Sequence, residues 1–249
     1  MNVSAAEFLE RFECPDTSGI TAPCANATQR HGAHYYPQIV LPDGSITSCP
    51  AWLSIKCRRF EAKYAEWVDD GRRRGIQDRY LRASLIGSRR TPALDVTATF
   101  VNDAARRGRA LALLGPPGCG KTWSASAAVH AWPDDRPLYL EVSTFVRDLM
   151  RWNRADAGRR AHPLDTAIKA SFLALDDLGV GYLKPGGYAQ MAIEELLHVR
   201  HAAQSPTIVT SNWSARELAQ ELSTRTYDRL REWADVVELS GPSLRGDGA

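Results

Sequence analysis

Ala110-Leu111-Ala112-Leu113-Leu114-Gly115-Pro116-Pro117-Gly118-Cys119-Gly120-Lys121-Thr122 is the stretch on which the reading of this chain turns. Its apolar opening suits a strand buried on both faces, and Gly115 to Thr122 fits the phosphate-loop pattern G-x-x-x-x-G-K-[ST] at every defining position. Each residue type answers a physical need. Glycines lack a Cβ, so successive backbone N–H groups can turn inward around an anion. A helix starting at Lys121 presents its positive end to phosphate groups. Lys121 supplies a point charge for the β- and γ-phosphates, and the Thr122 hydroxyl suits Mg²⁺. Lysine is otherwise scarce, present only at 56, 63, 169 and 184 in a chain that prefers arginine, so Lys121 stands out.

Downstream of the loop, short apolar strands alternate with amphipathic helices, the pattern of an α/β fold. The helix begun at Lys121 is expected to run to about Ala131, followed by a strand over Pro137–Val142. Ser143 is expected to cap a helix carrying Phe145, Val146 and Leu149. A third strand, Phe172–Leu175, ends at Asp176 and Asp177; a helix over Tyr188–Ala203 leads to a fourth strand, Thr207–Ser211, and then Asn212. Ser214 is expected to cap Ala215–Leu222, and a helix over Tyr227–Trp233 leads into Val236–Leu239. In open α/β sheets ligands bind at the carboxyl edge of the strands. Asp176 therefore fits a Mg²⁺ carboxylate and Asp177 a group that polarises the attacking water, against the plainer reading of two solvated acids capping a strand. The Asn212 amide could orient water or sense the γ-phosphate, or simply belong to a turn leading into the next helix.

Composition narrows the class further. The chain has 249 residues, with 31 Lys+Arg against 29 Asp+Glu for a net charge of +2, and is 44% hydrophobic and 24% charged. Those are globular values, which excludes disordered, collagen-like and coiled-coil classes. No apolar run reaches the ~18 residues of a membrane span, and Met1–Glu7 lacks the basic and apolar regions of a secretory signal. A cytoplasmic protein without membrane contact is expected. The chain divides into a loop-rich module at 1–57, a helical linker region at 58–108 and an ATPase domain at 109–249.

The phosphate loop, Leu175-Asp176-Asp177-Leu178-Gly179 and Pro206-Thr207-Ile208-Val209-Thr210-Ser211-Asn212 together resemble the AAA+ ATPases of the DnaC/IstB group. Arg225-Thr226-Tyr227-Asp228-Arg229-Leu230-Arg231 and Gly241-Pro242-Ser243-Leu244-Arg245 are similar to that family's ending. The likeness covers about residues 80 to 246. It implies a parallel sheet flanked by helices, with ATP and Mg²⁺ held by Gly115–Trp123, Thr122 and Asp176. It also implies Asn212 as sensor 1, Arg229 as the arginine finger reaching a neighbouring subunit, with Arg225 the competing candidate, and Arg245 as a sensor-2-like arginine. A finger supplied in trans makes slow hydrolysis depend on self-association through the ATP site. The family contains helicase loaders that deliver a hexameric replicative helicase to single-stranded DNA, and this is the first expectation. The alternatives are an ATPase assisting a transposase on duplex DNA, and a weakly hydrolysing ATP switch.

Cys14, Cys24, Cys49 and Cys57 cluster in the first module. Clustered thiols in a cytosolic chain suit structural Zn²⁺, with His31 and His34 able to substitute. The spacing is wider than the C-x2-C knuckle, so free buried thiols and an iron–sulfur cluster stay open. The resemblance implies that this module recognises the partner. Cys119 reads as a small residue tolerated in the loop. Arginines at 72–74, 89–90, 106, 107 and 109 could follow a phosphate backbone, but interleaved aspartates suit a mixed solvated surface equally. Trp123 and Trp132 read as core, and Trp213 as the tryptophan near the site.

Overall fold

Residues 58–85, 88, 90–107, 109–134, 136–152, 161–179, 186–241 and 243–244 are described by the computed structural model, together with short backbone pieces between 30 and 48. Those pieces form two antiparallel ladders, β1 (Arg30–His31) with β2 (His34–Tyr35) and β3 (Gln38–Val40) with β4 (Ile46–Ser48). The four N-terminal cysteines, and with them the zinc expectation, lie outside the described residues. Among the described residues no group of three or more His, Cys, Asp and Glu is placed to hold a metal ion.

The central sheet has five parallel strands, β5 (Ala110–Leu114), β6 (Pro137–Glu141), β7 (Phe172–Asp176), β8 (Thr207–Ser211) and β9 (Ala234–Glu238), in the spatial order β6-β7-β8-β5-β9. The loop strand β5 therefore pairs with β8, not with β7. Leu114 stands opposite Ser211, and Glu141 opposite Asp176, so the carboxyl ends of these strands share one edge.

Period-two alternation sends the two faces of the sheet into two cores. Ala110, Ala112 and Leu114 join Leu173, Leu175 and Val209 under α4 (Val142–Trp152), α6 (Tyr188–Ala202) and α8 (Thr224–Trp233). Leu111 and Leu113 join Phe172, Ala174 and Ile208 under α3 (Lys121–Ala131) and α2 (Pro92–Arg107). β5, β7 and β8 are buried along their whole length, and accordingly β5 and the first four residues of β7 are unbroken apolar runs, while β8 adds only small hydroxyl residues to its Ile-Val pair. Each fully buried leucine contributes about 1.5–3 kcal/mol of transfer free energy.

Ile76, Leu81, Leu85, Leu94 and Phe100 belong to that second core, so the stretch between α1 (Arg58–Arg73) and α2 packs directly on the sheet. It was expected to be a helical linker region. The two helices are joined, among the described residues, through one 3-10 turn, Asp78–Tyr80, and Pro92 opens α2. The residue before a proline avoids helical geometry, which sets that boundary.

Several element ends differ from expectation. α4 begins at Val142, so Ser143 lies within its first turn and donates to the Glu141 carboxylate instead of capping the helix. α8 begins at Thr224 because Ser223 caps it, three residues before the expected start. α7 (Ala215–Glu221) is entered through Ser214 as expected, with a reciprocal capping box to Glu217. α5 (Pro163–Lys169) completes the layer over the β6–β7 side. No described helix is long and apolar enough to cross a membrane.

Candidate nucleotide site

A cleft of about 380 Å³ opens at the carboxyl edge of β5, β7 and β8, a size that suits a mononucleotide. Its walls include Gly118, Gly120, Lys121, Thr122, Asp176, Asp177 and Asn212. The residues expected at one site from separate parts of the sequence are thus brought together, while Arg229 is not.

The loop geometry is that of an anion cradle. Gly118 and Gly120 have φ of +89° and +91°, which L side chains rarely adopt, and a Cβ on Gly118 would meet Ser243. Gly120 leads directly into α3, whose first-turn N–H groups point into the cleft. Lys121 folds back over the loop, its Nζ donating to the carbonyls of Gly115 (2.6 Å) and Pro116 (2.8 Å). These neutral acceptors can be exchanged for phosphate oxygens. The Cys119 thiol donates to the Pro116 carbonyl and is buried, consistent with a tolerated small residue.

Asp176 is 3% exposed and bound on both oxygens. Oδ1 accepts from the Thr210 hydroxyl and Oδ2 from the Tyr139 phenol, both at 2.6 Å. Burial holds its carboxyl above the usual carboxylate range, against the lowering effect of hydrogen bonds from Thr210, Tyr139 and Thr122, and Asp177 nearby adds to the rise. Burial, with the Asp176 charge, drives the Tyr139 phenol far upward, so it stays a neutral donor. Asp177 occupies the left-handed region at φ 60°, unusual for a residue other than glycine. Its N–H donates to the Thr210 hydroxyl (3.0 Å) and its carboxylate accepts from the Asn212 amide (2.8 Å). Backbone strain of this kind concentrates at functional sites.

These residues fit Mg²⁺ and a nucleoside triphosphate. The glycine cradle and the α3 N-terminus face phosphates, Lys121 supplies positive charge, and Thr122 with Asp176 offers the oxygen donors a hard cation takes.

The sequence alone did not reveal the other wall. Gln77, Arg79, Tyr80, Ser88, Thr91 and Glu141 line the cleft. Gln77 donates to Glu141 at 2.7 Å, and the Arg79 guanidinium lies over the Tyr80 ring at 4.6 Å. Trp123, expected both in the core and in the nucleotide-binding stretch, is half-buried and packed at the margin of the second core. From the first turn of α3 it meets the Tyr80 ring edge-on, lines the cleft, and donates from Nε1 to Ser88. Trp132 is core, stacked on Phe172. Trp213 is buried on the opposite side with Leu218, Leu230 and Trp233, because the chain turns away from the cleft after Asn212.

Arg229 lies on α8, where its guanidinium meets Nδ1 of His198 on α6 at 2.6 Å. Arg245 falls outside the described residues. Of the arginines read as a basic stripe, Arg72, Arg73, Arg74, Arg90 and Arg109 each pair with an aspartate, which cancels much of the charge offered to a phosphate backbone.

Comparison with known proteins agrees with this geometry. The insertion sequence ATP-binding protein y4pL of Sinorhizobium fredii is 37% identical over 142 residues, 54% of this chain and 56% of that protein, so the chain spans little over half of that relative's length. Among solved structures, the DnaC helicase loader superposes with a TM-score of 0.57 at 23% identity, covering 66% of this chain and 100% of that one. DnaI superposes with a TM-score of 0.54 at 26% identity, covering 68% and 94% respectively. The parallel sheet and flanking helices are thus the AAA+ type of α/β fold. The family described as IstB-like ATP binding protein matches residues 87–247, and this chain belongs to it.

Proposed function

We propose that this chain is a slow, assembly-dependent ATPase that works on DNA for a mobile element, binding duplex DNA and assisting a transposase. The observation that carries the ATPase reading is the convergence of Lys121, Thr122, Asp176, Asp177 and Asn212 on one cleft from three strand ends. Lys121 exchanges the Gly115 and Pro116 carbonyls for phosphate oxygens. Thr122 and Asp176 would hold Mg²⁺, which would supply charge neutralisation at the phosphates. Asp177, steered by Asn212, draws a proton from water. Arg229, remote from its own cleft, serves the cleft of a neighbouring subunit, where it neutralises charge that develops on the phosphoryl oxygens. On this reading a lone chain turns over slowly.

The role in transposition is supported by the 37% identity to an insertion sequence ATP-binding protein. The earlier expectation of helicase loading is the second reading, favoured by the DnaC and DnaI superpositions, which span nearly the whole of those chains. Light-scattering chromatography with ATP and Mg²⁺ separates them. Assembly on duplex DNA, with no complex with the replicative helicase of the same source, is the expected result. A stable helicase complex that forms without duplex DNA would replace the transposition reading with the loader.

A further inference from the structure

Asp176 is bracketed by hydroxyl groups from the strands on either side of it. Tyr139 on β6 donates to Oδ2 and Thr210 on β8 donates to Oδ1, each at 2.6 Å. Tyr139 is only 2% exposed, and its own backbone N–H is tied to the Arg74 carbonyl at 2.7 Å, so both ends of the residue are fixed. A phenylalanine ring would keep the place of Tyr139 in the core cluster that holds Phe172, Ala174 and the buried residues of α3. The one atom that packing does not require is the phenolic oxygen, and it is spent wholly on Asp176.

We propose that Tyr139 is a positioning residue for the metal site: its phenol fixes the orientation of the Asp176 carboxylate and thereby sets the affinity for Mg²⁺. A carboxylate with both oxygens held cannot rotate about its Cβ–Cγ bond, so it is preorganised before the metal arrives. Removing the phenol takes away one of the hydroxyl donors that fix the buried carboxylate and loosens its orientation. Outer-shell partners of this kind change metal affinity by roughly 10- to 100-fold when lost. This inference rests on the reading of the cleft as a Mg²⁺–nucleotide site.

The test is binding of a fluorescent ATP analogue to the full chain across a Mg²⁺ titration, repeated with excess EDTA, with Mn²⁺ binding followed by electron paramagnetic resonance. Tyr139→Phe is expected to raise the half-saturating Mg²⁺ concentration about 10-fold, with analogue binding in EDTA unchanged. Tyr139→Leu is expected to do the same and also to lower Tm. A role in packing alone predicts the opposite pattern, with the phenylalanine variant normal and only the leucine variant impaired, and that result would overturn the proposal. If Tyr139→Phe does not fold, Thr210→Val removes the donor on the other oxygen, and an unchanged Mg²⁺ requirement there would overturn it equally. Should the wild-type chain itself bind the analogue without regard to Mg²⁺, the reading of the cleft fails, not merely the role of Tyr139.

Discussion

The Asn212 amide donates to the Asp177 carboxylate at 2.8 Å, across the gap between the ends of β8 and β7. Thr210 reinforces the pair by accepting from the Asp177 N–H, so an acid in a strained left-handed conformation is held from both its backbone and its side chain. A carboxylate fixed in this way at the mouth of the cleft, while still exposed to solvent, suits the proton abstraction proposed for it.

Asp177→Asn keeps the shape and the contact with Asn212 but cannot take a proton. Phosphate release should fall about 100-fold or more while analogue affinity stays within about 2-fold. Equal turnover in the variant would remove Asp177 from the chemistry.

Lys121→Ala deletes the only lysine on the cleft wall. Charge-assisted hydrogen bonds are worth about 1.5–3 kcal/mol, so nucleotide affinity should drop by at least about 10-fold. Circular dichroism should be unaltered, since the bonds lost run from the Lys121 side chain to two loop carbonyls and to no strand or helix ladder. Affinity at the wild-type level would mean the loop does not hold phosphate.

The raised carboxyl of Asp176 predicts a pH effect of definite sign. In the window between the ordinary aspartate range and its higher folded value, the folded state binds the extra proton, so the nucleotide-free chain loses stability as pH rises through that window. Mg²⁺-dependent binding has the opposite slope, because it needs the ionised form. Lowering pH should therefore abolish the Mg²⁺ response before it denatures the chain. Thermal scans alongside analogue binding check this, and Asp176→Asn should flatten both trends.

Arg229→Ala should cut turnover by about 1,000-fold or more, the range of arginine fingers, with nucleotide binding retained. The decisive comparison is a mixture with Lys121→Ala. One partner supplies an intact cleft and the other an intact arginine, so a mixed assembly regains part of the activity. No recovery on mixing, with full activity in Arg229→Ala alone, would assign the arginine to the surface pair with His198.

Arg200 is fully buried, and its guanidinium donates to the carbonyls of Ala167, Ile168, Ala170 and Pro206 and to the Thr207 hydroxyl. Burial lowers its pKa to about 10, which leaves it charged at neutral pH. It ties the end of α5 to α6 and β8. Arg200→Leu strands several buried acceptors at about 1–3 kcal/mol each. A loss near 3 kcal/mol corresponds to a fall in Tm of roughly 10 °C for a chain of this size, read by calorimetry.

The nucleotide loop, the strands and Asp176 were legible in the sequence because each depends on local chemistry. Glycine conformations, unbroken apolar runs and acids at a strand end carry their meaning within a few residues. The helix boundaries that slipped, at Val142 and Thr224, did so by one to three residues because a neighbouring serine or acid competed for the cap. The zinc expectation and the role of Arg245 concern residues beyond those described.

Tertiary structure alone decided the rest. Nothing local tells that β8, last but one in the chain, would lie between β5 and β7, yet this order brings Thr210 against Asp176 and Asn212 against Asp177. Tyr139 and Glu141 looked like ordinary strand residues, and Gln77, Arg79 and Tyr80 like part of a linker. Their position on the cleft follows from residues 74–81 docking on the outer edge of β6, where the Tyr139 N–H needs an acceptor and Arg74 supplies it. Trp213, expected near the site, is buried in the first core instead, whereas Trp123 both packs on the second core and lines the cleft. Hydrophobicity says that a tryptophan is covered, but only the packing of sheet and helices says by which face.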